Sequence, residues 1–136
     1  MAKNVAEQLV DTLEKAGVKR IYAVTGDSLN EVNEAVRKNG KIKWIHVRHE
    51  ETGAYAAAAE AQLNGELACC AGSSGPGHVH LINGLYDAQR SGAPVLAIAS
   101  TLPTHEFGTE YFQETNTIKL FEDCSYYNQV ATTPEQ

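Results

Sequence analysis

The sequence has no long apolar run and no leader-like segment. No window approaches the roughly 20 consecutive apolar residues that a membrane-spanning helix needs. The first residues, Met-Ala-Lys-Asn-Val, contain no apolar core of the kind found in signal peptides. We therefore expect a cytoplasmic domain with no evident membrane association.

Basic clusters are also missing. The 11 Lys and Arg residues are scattered and outnumbered by 17 Asp and Glu, which gives a formal net charge of −6. Because binding to nucleic-acid phosphates needs clustered Lys and Arg, we do not expect a nucleic-acid partner.

Cysteine is scarce and its spacing does not suit zinc or redox chemistry. Cys69, Cys70 and Cys124 form no C-x-x-C motif, and their apolar surroundings favour buried, reduced thiols. Of the five histidines, His78 and His80 lie nearest in sequence, but on a helix their rings would diverge by about 200°. No metal site is predicted.

What the sequence does contain is a regular alternation of helical and extended patterns, which at 136 residues predicts one domain. Short connections between them predict an α/β fold with a mainly parallel sheet covered by helices on both faces. The predicted strands are 21–24, 42–47, 67–71, 94–99 and 124–130; the predicted helices are 4–16, 28–39, 51–63, 78–90 and 118–121.

Local signals support several of these boundaries. Gly17 and the Asn39-Gly40 pair are typical of helix C-termini, and Ser28 followed by Glu31 has capping-box spacing. Between residues 54 and 59, five of the six residues are alanine, and such small side chains let a helix lie very close to its neighbours, with burial at an interface between chains as one possibility.

Three loops should meet at one edge of the predicted sheet, because each follows a strand. They are Thr25 to Asp27, Arg48 to Glu50 and Gly72 to Gly77, and ligands of parallel sheets collect at that edge. The glycine-rich loop has neither the Walker A nor the G-x-G-x-x-G spacing, and its two serines form no G-x-S-x-G elbow. A tight turn with Pro76 near a helix start and close approach to a flat ring both remain open.

Glu50 is the central candidate in this cleft. A carboxylate where a buried strand passes into a buried helix is costly unless something uses it. On spacing alone, a functional carboxylate and a helix-dipole carboxylate stabilised by about 0.3–1 kcal/mol are equally open. Glu51 is the better candidate for the solvent-facing role.

The ordered set of motifs resembles the N-terminal pyrimidine-binding domain of thiamine diphosphate-dependent pyruvate oxidases. The quinone-reducing pyruvate dehydrogenase branch is nearest, and acetolactate synthases are more distant. The resemblance covers essentially all 136 residues and rests on Val24-Thr-Gly-Asp-Ser-Leu29, Arg48-His-Glu-Glu51, Ala71-Gly-Ser-Ser-Gly-Pro-Gly77, His80-Leu-Ile-Asn-Gly-Leu85, Pro94-Val-Leu-Ala-Ile-Ala99 and Tyr111-Phe-Gln-Glu114.

This resemblance implies a flavodoxin-like fold and assigns roles to particular residues. Glu50 corresponds to the catalytic glutamate that hydrogen-bonds N1′ of the cofactor's aminopyrimidine. The remaining implied positions are Gly26, Asp27, Ser73 and Pro76 beside the cofactor, and His80, Phe112 and Gln113 at the substrate end.

The resemblance also implies that residues 1–136 are one part of a longer chain. Related enzymes bind the diphosphate and Mg²⁺ through a Gly-Asp-Gly motif in another domain and FAD in a third, and the sequence contains no Gly-Asp-Gly. The active site in such families forms with the diphosphate-binding domain of a second subunit, so we expect a homo-oligomer, dimer or tetramer, acting on pyruvate. The terminal Thr133-Pro134 resembles a helix start, which agrees with a fragment that is inactive alone and self-associates.

Two alternatives remain open at this point. In place of the pyruvate oxidase module, one alternative is the α-chain of a two-chain 2-oxo-acid decarboxylase, and the other is a non-catalytic binding or dimerisation module with the same fold.

Overall fold

The computed structural model describes residues 3–136 and shows a four-stranded sheet between helices. The strands are β1 (Arg20–Ala23), β2 (Lys43–His46), β3 (Ala68–Gly72) and β4 (Val95–Ala99). The helices are α1 (Val5–Lys15), α2 (Asn30–Asn39), α3 (Glu50–Asn64), α4 (Pro76–Val79), α5 (Ile82–Arg90) and α6 (Thr117–Phe121). Short 3₁₀ turns span Asp27–Leu29 and Thr104–Glu106.

All strand pairs are parallel, in the order β2-β1-β3-β4. In this order the chain runs from β1 outward to β2 and from β3 outward to β4, in opposite directions across the sheet. The topological switch point therefore lies between β1 and β3. Helices α1 and α2 pack on one face of the sheet, in a core that includes Ile21 and Cys69. Helices α3 and α5 pack on the other face, in a core that includes Cys70 and Leu81. The three-layer α/β architecture is confirmed.

The alanine-rich helix lies very close to its neighbour, as its small side chains predict. Ala54, Ala57 and Ala58 are completely buried. A Cβ added to Gly84 of α5 would lie 2.5 Å from Ala54 Cβ and 2.7 Å from the backbone nitrogen of Tyr55. Contact at this range requires a glycine, because any side chain would force the two helices apart.

The cysteine prediction is also confirmed. All three thiols are free and buried. Burial raises the pKa of Cys70 to about 12, which keeps this thiol protonated and unreactive at neutral pH. Among the described residues, no helix combines the length and apolarity required to cross a membrane.

The single helix predicted for residues 78–90 is wrong. The chain forms α4 and α5 with a break at His80 and Leu81, where the Leu81 amide donates to the His78 carbonyl in a tight turn. No proline or glycine stands at the break. The buried contacts of His78 and Leu81 impose it instead.

The capping box predicted from Ser28 and Glu31 is wrong as well. Ser28 lies inside the 3₁₀ turn, and α2 begins after Leu29 without a side-chain cap. The Ser28 hydroxyl instead bonds groups at the ends of β3 and β4, which takes it away from the local helix amides.

The fifth strand predicted for residues 124–130 does not form in the described chain. This segment is irregular, and Tyr126 and Tyr127 are exposed. Local side-chain bonds compete with strand pairing here: Ser125 Oγ donates to the Phe121 carbonyl, and Asn128 donates to the carbonyls of Thr117 and Ile118.

Candidate functional site

The loops after β1, β2 and β3 meet at the carboxyl edge of the sheet, as their positions after parallel strands predict. The Val47 amide donates to the Ala23 carbonyl, which joins the ends of β1 and β2. Gly26 packs so tightly on Ser73 that a Cβ at position 26 would overlap the serine side chain. The three loops therefore meet at the switch point, where the topology of a parallel sheet predicts a ligand cleft.

Glu50 is the first residue of α3, and its side chain lies against the glycine-rich loop and His80. Only 12% of the Glu50 side chain is exposed to solvent, and Oε2 lies 3.1 Å from Nδ1 of His80. Oε1 faces the glycine-rich loop, 3.4 Å from where a Cβ on Gly77 would stand. One carboxylate oxygen is thus engaged by the histidine, while the other borders a wall without a side chain.

The two neighbours of Glu50 have different partners. His49 is the N-cap of α3, and its Nδ1 accepts a 3.3 Å bond from the Glu51 amide. The His49 ring stacks on that of His80, with centroids 4.3 Å apart. The Glu51 carboxylate accepts a hydrogen bond from Asn83 of α5, so the two adjacent acids diverge.

A network of serine hydroxyls joins the ends of three strands behind the glycine-rich loop. Ser28 Oγ lies 2.9 Å from Ser73 Oγ and 2.6 Å from Ser100 Oγ, and it accepts from the Ser74 amide at 2.9 Å. Ser100 Oγ in turn donates to the Gly72 carbonyl. Sequence reasoning gave Ser28 only a capping role and missed Ser100, although a small polar residue directly after β4 was an available signal.

His78 is a further residue whose role sequence reasoning missed. Its ring is 1% exposed and is held between the Ser100 carbonyl, 2.9 Å from Nδ1, and the Thr115 hydroxyl, 2.5 Å from Nε2. A carbonyl only accepts, so Nδ1 carries the proton and Nε2 accepts from Thr115. Burial lowers the pKa of His78, opposed by the bond to Ser100, and the lowered pKa favours the neutral ring.

Of the predicted substrate-side residues, His80 and Gln113 contact the cleft loops. Gln113 has a positive φ of 65° and packs on Gly75, where an added Cβ would lie 2.7 Å from its own Cβ. Its Oε1 is 3.4 Å from Ser74 Oγ. Phe112, in contrast, is 76% exposed, so its ring is not packed against the described domain.

Gly26, Ser73 and Pro76 belong to the loops that line the cleft, and Asp27 opens the 3₁₀ turn beside it. Pro76 is the first residue of α4, a position where its missing N–H costs nothing. Both Asp27 and Pro76 are exposed.

Comparison with known proteins identifies the family. The model of the thiamine pyrophosphate enzyme N-terminal TPP-binding domain matches residues 3–120. The chain belongs to this family. Its fold and its cleft, with a carboxylate beside a glycine-lined wall, agree with that assignment.

Curated relatives are longer than this chain. An uncharacterized 42.6 kDa protein of Pseudomonas amyloderamosa is 58% identical over 97% of the chain and 33% of its own length. A putative thiamine pyrophosphate-containing protein of Bacillus subtilis is 45% identical over 98% of the chain and 23% of its own length. The pyruvate oxidase of Lactiplantibacillus plantarum is 42% identical over 90% of the chain and 21% of its own length.

Acetolactate synthases match as well, at 33% identity for one from Brassica napus, over 90% of the chain and 19% of the relative. The chain therefore spans a third or less of the length of each of these curated relatives.

Proposed function

We propose that this domain holds the aminopyrimidine ring of thiamine diphosphate within a larger enzyme that oxidatively decarboxylates pyruvate. The observation that carries the proposal is the Glu50 side chain, which is 12% exposed at the carboxyl edge of the sheet and has Oε1 3.4 Å from where a Cβ on Gly77 would stand. A carboxyl group and a wall without side chains fit a flat heterocycle that offers a ring nitrogen to hydrogen-bond.

In this proposal Glu50 is the proton-holding group. His80 donates from Nδ1 to Oε2, which fixes the carboxyl plane and leaves Oε1 as the atom that meets N1′ of the pyrimidine. The small exposed fraction of Glu50 limits competition from water for that oxygen. When bound, thiamine diphosphate supplies an electron sink for cleavage next to the carbonyl of a 2-oxo acid.

The glycines position the ring by allowing close approach. A Cβ at Gly77 would stand 3.4 Å from Glu50 Oε1, in the space beside the carboxylate. The contact between Gly26 and Ser73 packs the first loop against the third, which holds the two loops close together. Gln113 packs on Gly75 of the glycine-rich loop, and we assign its side chain to the substrate end of the site.

The remaining parts of the proposed enzyme lie outside this chain. We assign the diphosphate and Mg²⁺ to a domain of a second subunit, and FAD to a further domain, in a cytoplasmic homo-oligomer. Pyruvate and the oxidase reaction are supported by the higher identity to a pyruvate oxidase than to the acetolactate synthase of Brassica napus.

The test is Glu50→Gln in the full-length enzyme, with Glu51→Gln as the matched control. Positioned acid–base groups contribute about 10²–10⁴-fold, so Glu50→Gln should slow both exchange of the cofactor C2 proton and pyruvate turnover at least about 100-fold. Glu51 bonds Asn83 away from the cleft and should change either rate less than about threefold. Unchanged proton exchange in Glu50→Gln contradicts the assignment.

The oxidase part is tested separately. Turnover of pyruvate by the wild-type enzyme should reduce an added electron acceptor in proportion to the CO₂ released. Condensation of two pyruvate molecules without acceptor reduction would refute it and leave the pyrimidine-binding role intact.

A further inference from the structure

Two histidines and Glu50 form a cluster that the sequence does not reveal. One potential ligand atom from each of His49, Glu50 and His80 lies within 4.8 Å of the other two. His49 and Glu50 begin α3, and His80 stands at the break between α4 and α5. The start of α3 and the end of α4 therefore bring Glu50 and His80, 30 positions apart in the sequence, together at the same edge of the sheet.

We propose that His49, Glu50 and His80 bind a divalent transition-metal ion, with Zn²⁺ the best fit. Two imidazole nitrogens and one carboxylate oxygen are a ligand set that zinc takes in sites with an open fourth position. Mg²⁺ and Ca²⁺ prefer all-oxygen ligands and should bind here far more weakly. The ligand set therefore selects between classes of cation.

Exposure suits an exchangeable ion. His80 keeps 43% of its side-chain exposure and His49 is exposed, whereas Glu50 is largely buried. An ion can enter from the histidine side, and water can occupy the fourth position. Glu51, which bonds Asn83, is directed elsewhere and is not a ligand.

The geometry requires one local adjustment. With zinc–ligand bonds of about 2.1 Å, neighbouring ligand atoms of a tetrahedral site stand roughly 3.4 Å apart. His80 Nδ1 and Glu50 Oε2 are already 3.1 Å apart. The His49 and His80 rings are stacked with 25° between their planes, so their lone pairs lie in nearly parallel planes and do not meet at one ion.

His49 supplies the movement. Because its ring is exposed, it can turn about χ2 and bring a nitrogen toward the Glu50–His80 pair. This turn breaks the 3.3 Å bond from the Glu51 amide to His49 Nδ1, so either ring nitrogen of His49 can serve as the ligand atom.

Metal and cofactor would then compete for one carboxylate. This consequence rests on the proposed function, because it requires Glu50 to meet the pyrimidine, but the metal site itself does not. A bound ion replaces the bond from His80 to Glu50 and draws the carboxylate toward the histidines.

The experiment measures Zn²⁺ binding to the full-length protein after cofactor and metals have been removed with a chelator. Titration against a chromophoric chelator gives affinity and stoichiometry, and Co²⁺ replaces Zn²⁺ for spectroscopy. We expect one equivalent of Zn²⁺ that His49→Ala and His80→Ala each weaken at least tenfold. Bound Co²⁺ should show the intense visible bands of a tetrahedral site.

His105→Ala is the matched control, because the His105 side chain is 79% exposed on the turn Thr104–Glu106 and does not belong to the cluster. It should leave affinity and stoichiometry unchanged, and circular dichroism should show that all three variants fold. Wild-type affinity in both His49→Ala and His80→Ala would overturn the proposal. Sulfur-to-cobalt charge-transfer bands would also overturn it, because they would place the ion on thiols.

No cofactor or turnover enters this measurement, so its failure is distinguishable from failure of the proposed function. Loss of proton exchange in Glu50→Gln with no zinc binding retains the pyrimidine role alone. Zinc binding with unchanged exchange retains the metal site alone.

Discussion

Replacing Gly84 with alanine should destabilise the domain, although alanine is the better helix former. Gly→Ala inside a helix gains about 1 kcal/mol of propensity. At Gly84 the new methyl group would lie 2.5 Å from Ala54 Cβ and 2.7 and 2.8 Å from α3 backbone atoms. Carbon atoms pack best at about 3.5–4.0 Å, so the helices must separate by roughly 1 Å.

The size of the loss follows from which atoms are contacted. Overpacking costs about 1–3 kcal/mol, and the upper part of that range applies because α3 backbone atoms cannot rotate away. We expect a net loss of about 1–2 kcal/mol in unfolding free energy. Because α3 begins at Glu50, the same shift of the helix should lower the affinity for any ligand that the Glu50 carboxylate binds.

Urea denaturation followed by circular dichroism measures the change as a lower midpoint at constant slope. Asp87→Ala, on the exposed side of α5, is the control and should be neutral or stabilising by up to about 0.5 kcal/mol. An increase of about 1 kcal/mol for Gly84→Ala, the propensity gain alone, would refute the close contact of α3 and α5.

Two further perturbations address the hydrogen bonds behind the cleft. Ser28→Ala should lower the unfolding free energy by about 1–3 kcal/mol, because it leaves the Ser74 amide without its acceptor. The control Ser91→Ala, at an exposed position, should change the unfolding free energy by less than about 0.5 kcal/mol. Equal effects of the two substitutions would count against the serine network. His78 has a lowered folded pKa, so the unfolded chain takes up its proton first and stability should fall as pH drops below about 6.5 toward the folded pKa. His78→Gln should reduce this slope in denaturation series between pH 7.5 and 5; an identical slope would contradict the assignment.

The fold was predictable where local pattern and burial agree. Residues 68–71 form an entirely buried apolar run, which becomes β3 at the centre of the sheet. Gly40 ends α2 with a φ of 69°, as a C-terminal glycine does. The position of Glu50 also followed from topology, because a residue just after a parallel strand lies at the ligand-binding edge.

Features decided by distant contacts were not predictable. The Ser28 hydroxyl has the spacing of a cap, yet three groups more than 40 residues away bind it instead. The break before α5 carries no glycine or proline, and it places His80 beside Glu50 across 30 residues of sequence. The metal-ligand cluster depends on that break, so spacing between histidines could not indicate it.

Finally, the buried ring of His78 works as a non-covalent cross-link. The ring bonds the carbonyl of Ser100 and the hydroxyl of Thr115, and it thereby holds both ends of the mostly exposed segment between these two residues against the domain. Loop-closure entropy grows slowly with length, about 0.6 kcal/mol for each doubling. Insertions or sequence drift between the two anchors should therefore be cheap, so this segment can diversify while Gln113 remains seated on Gly75.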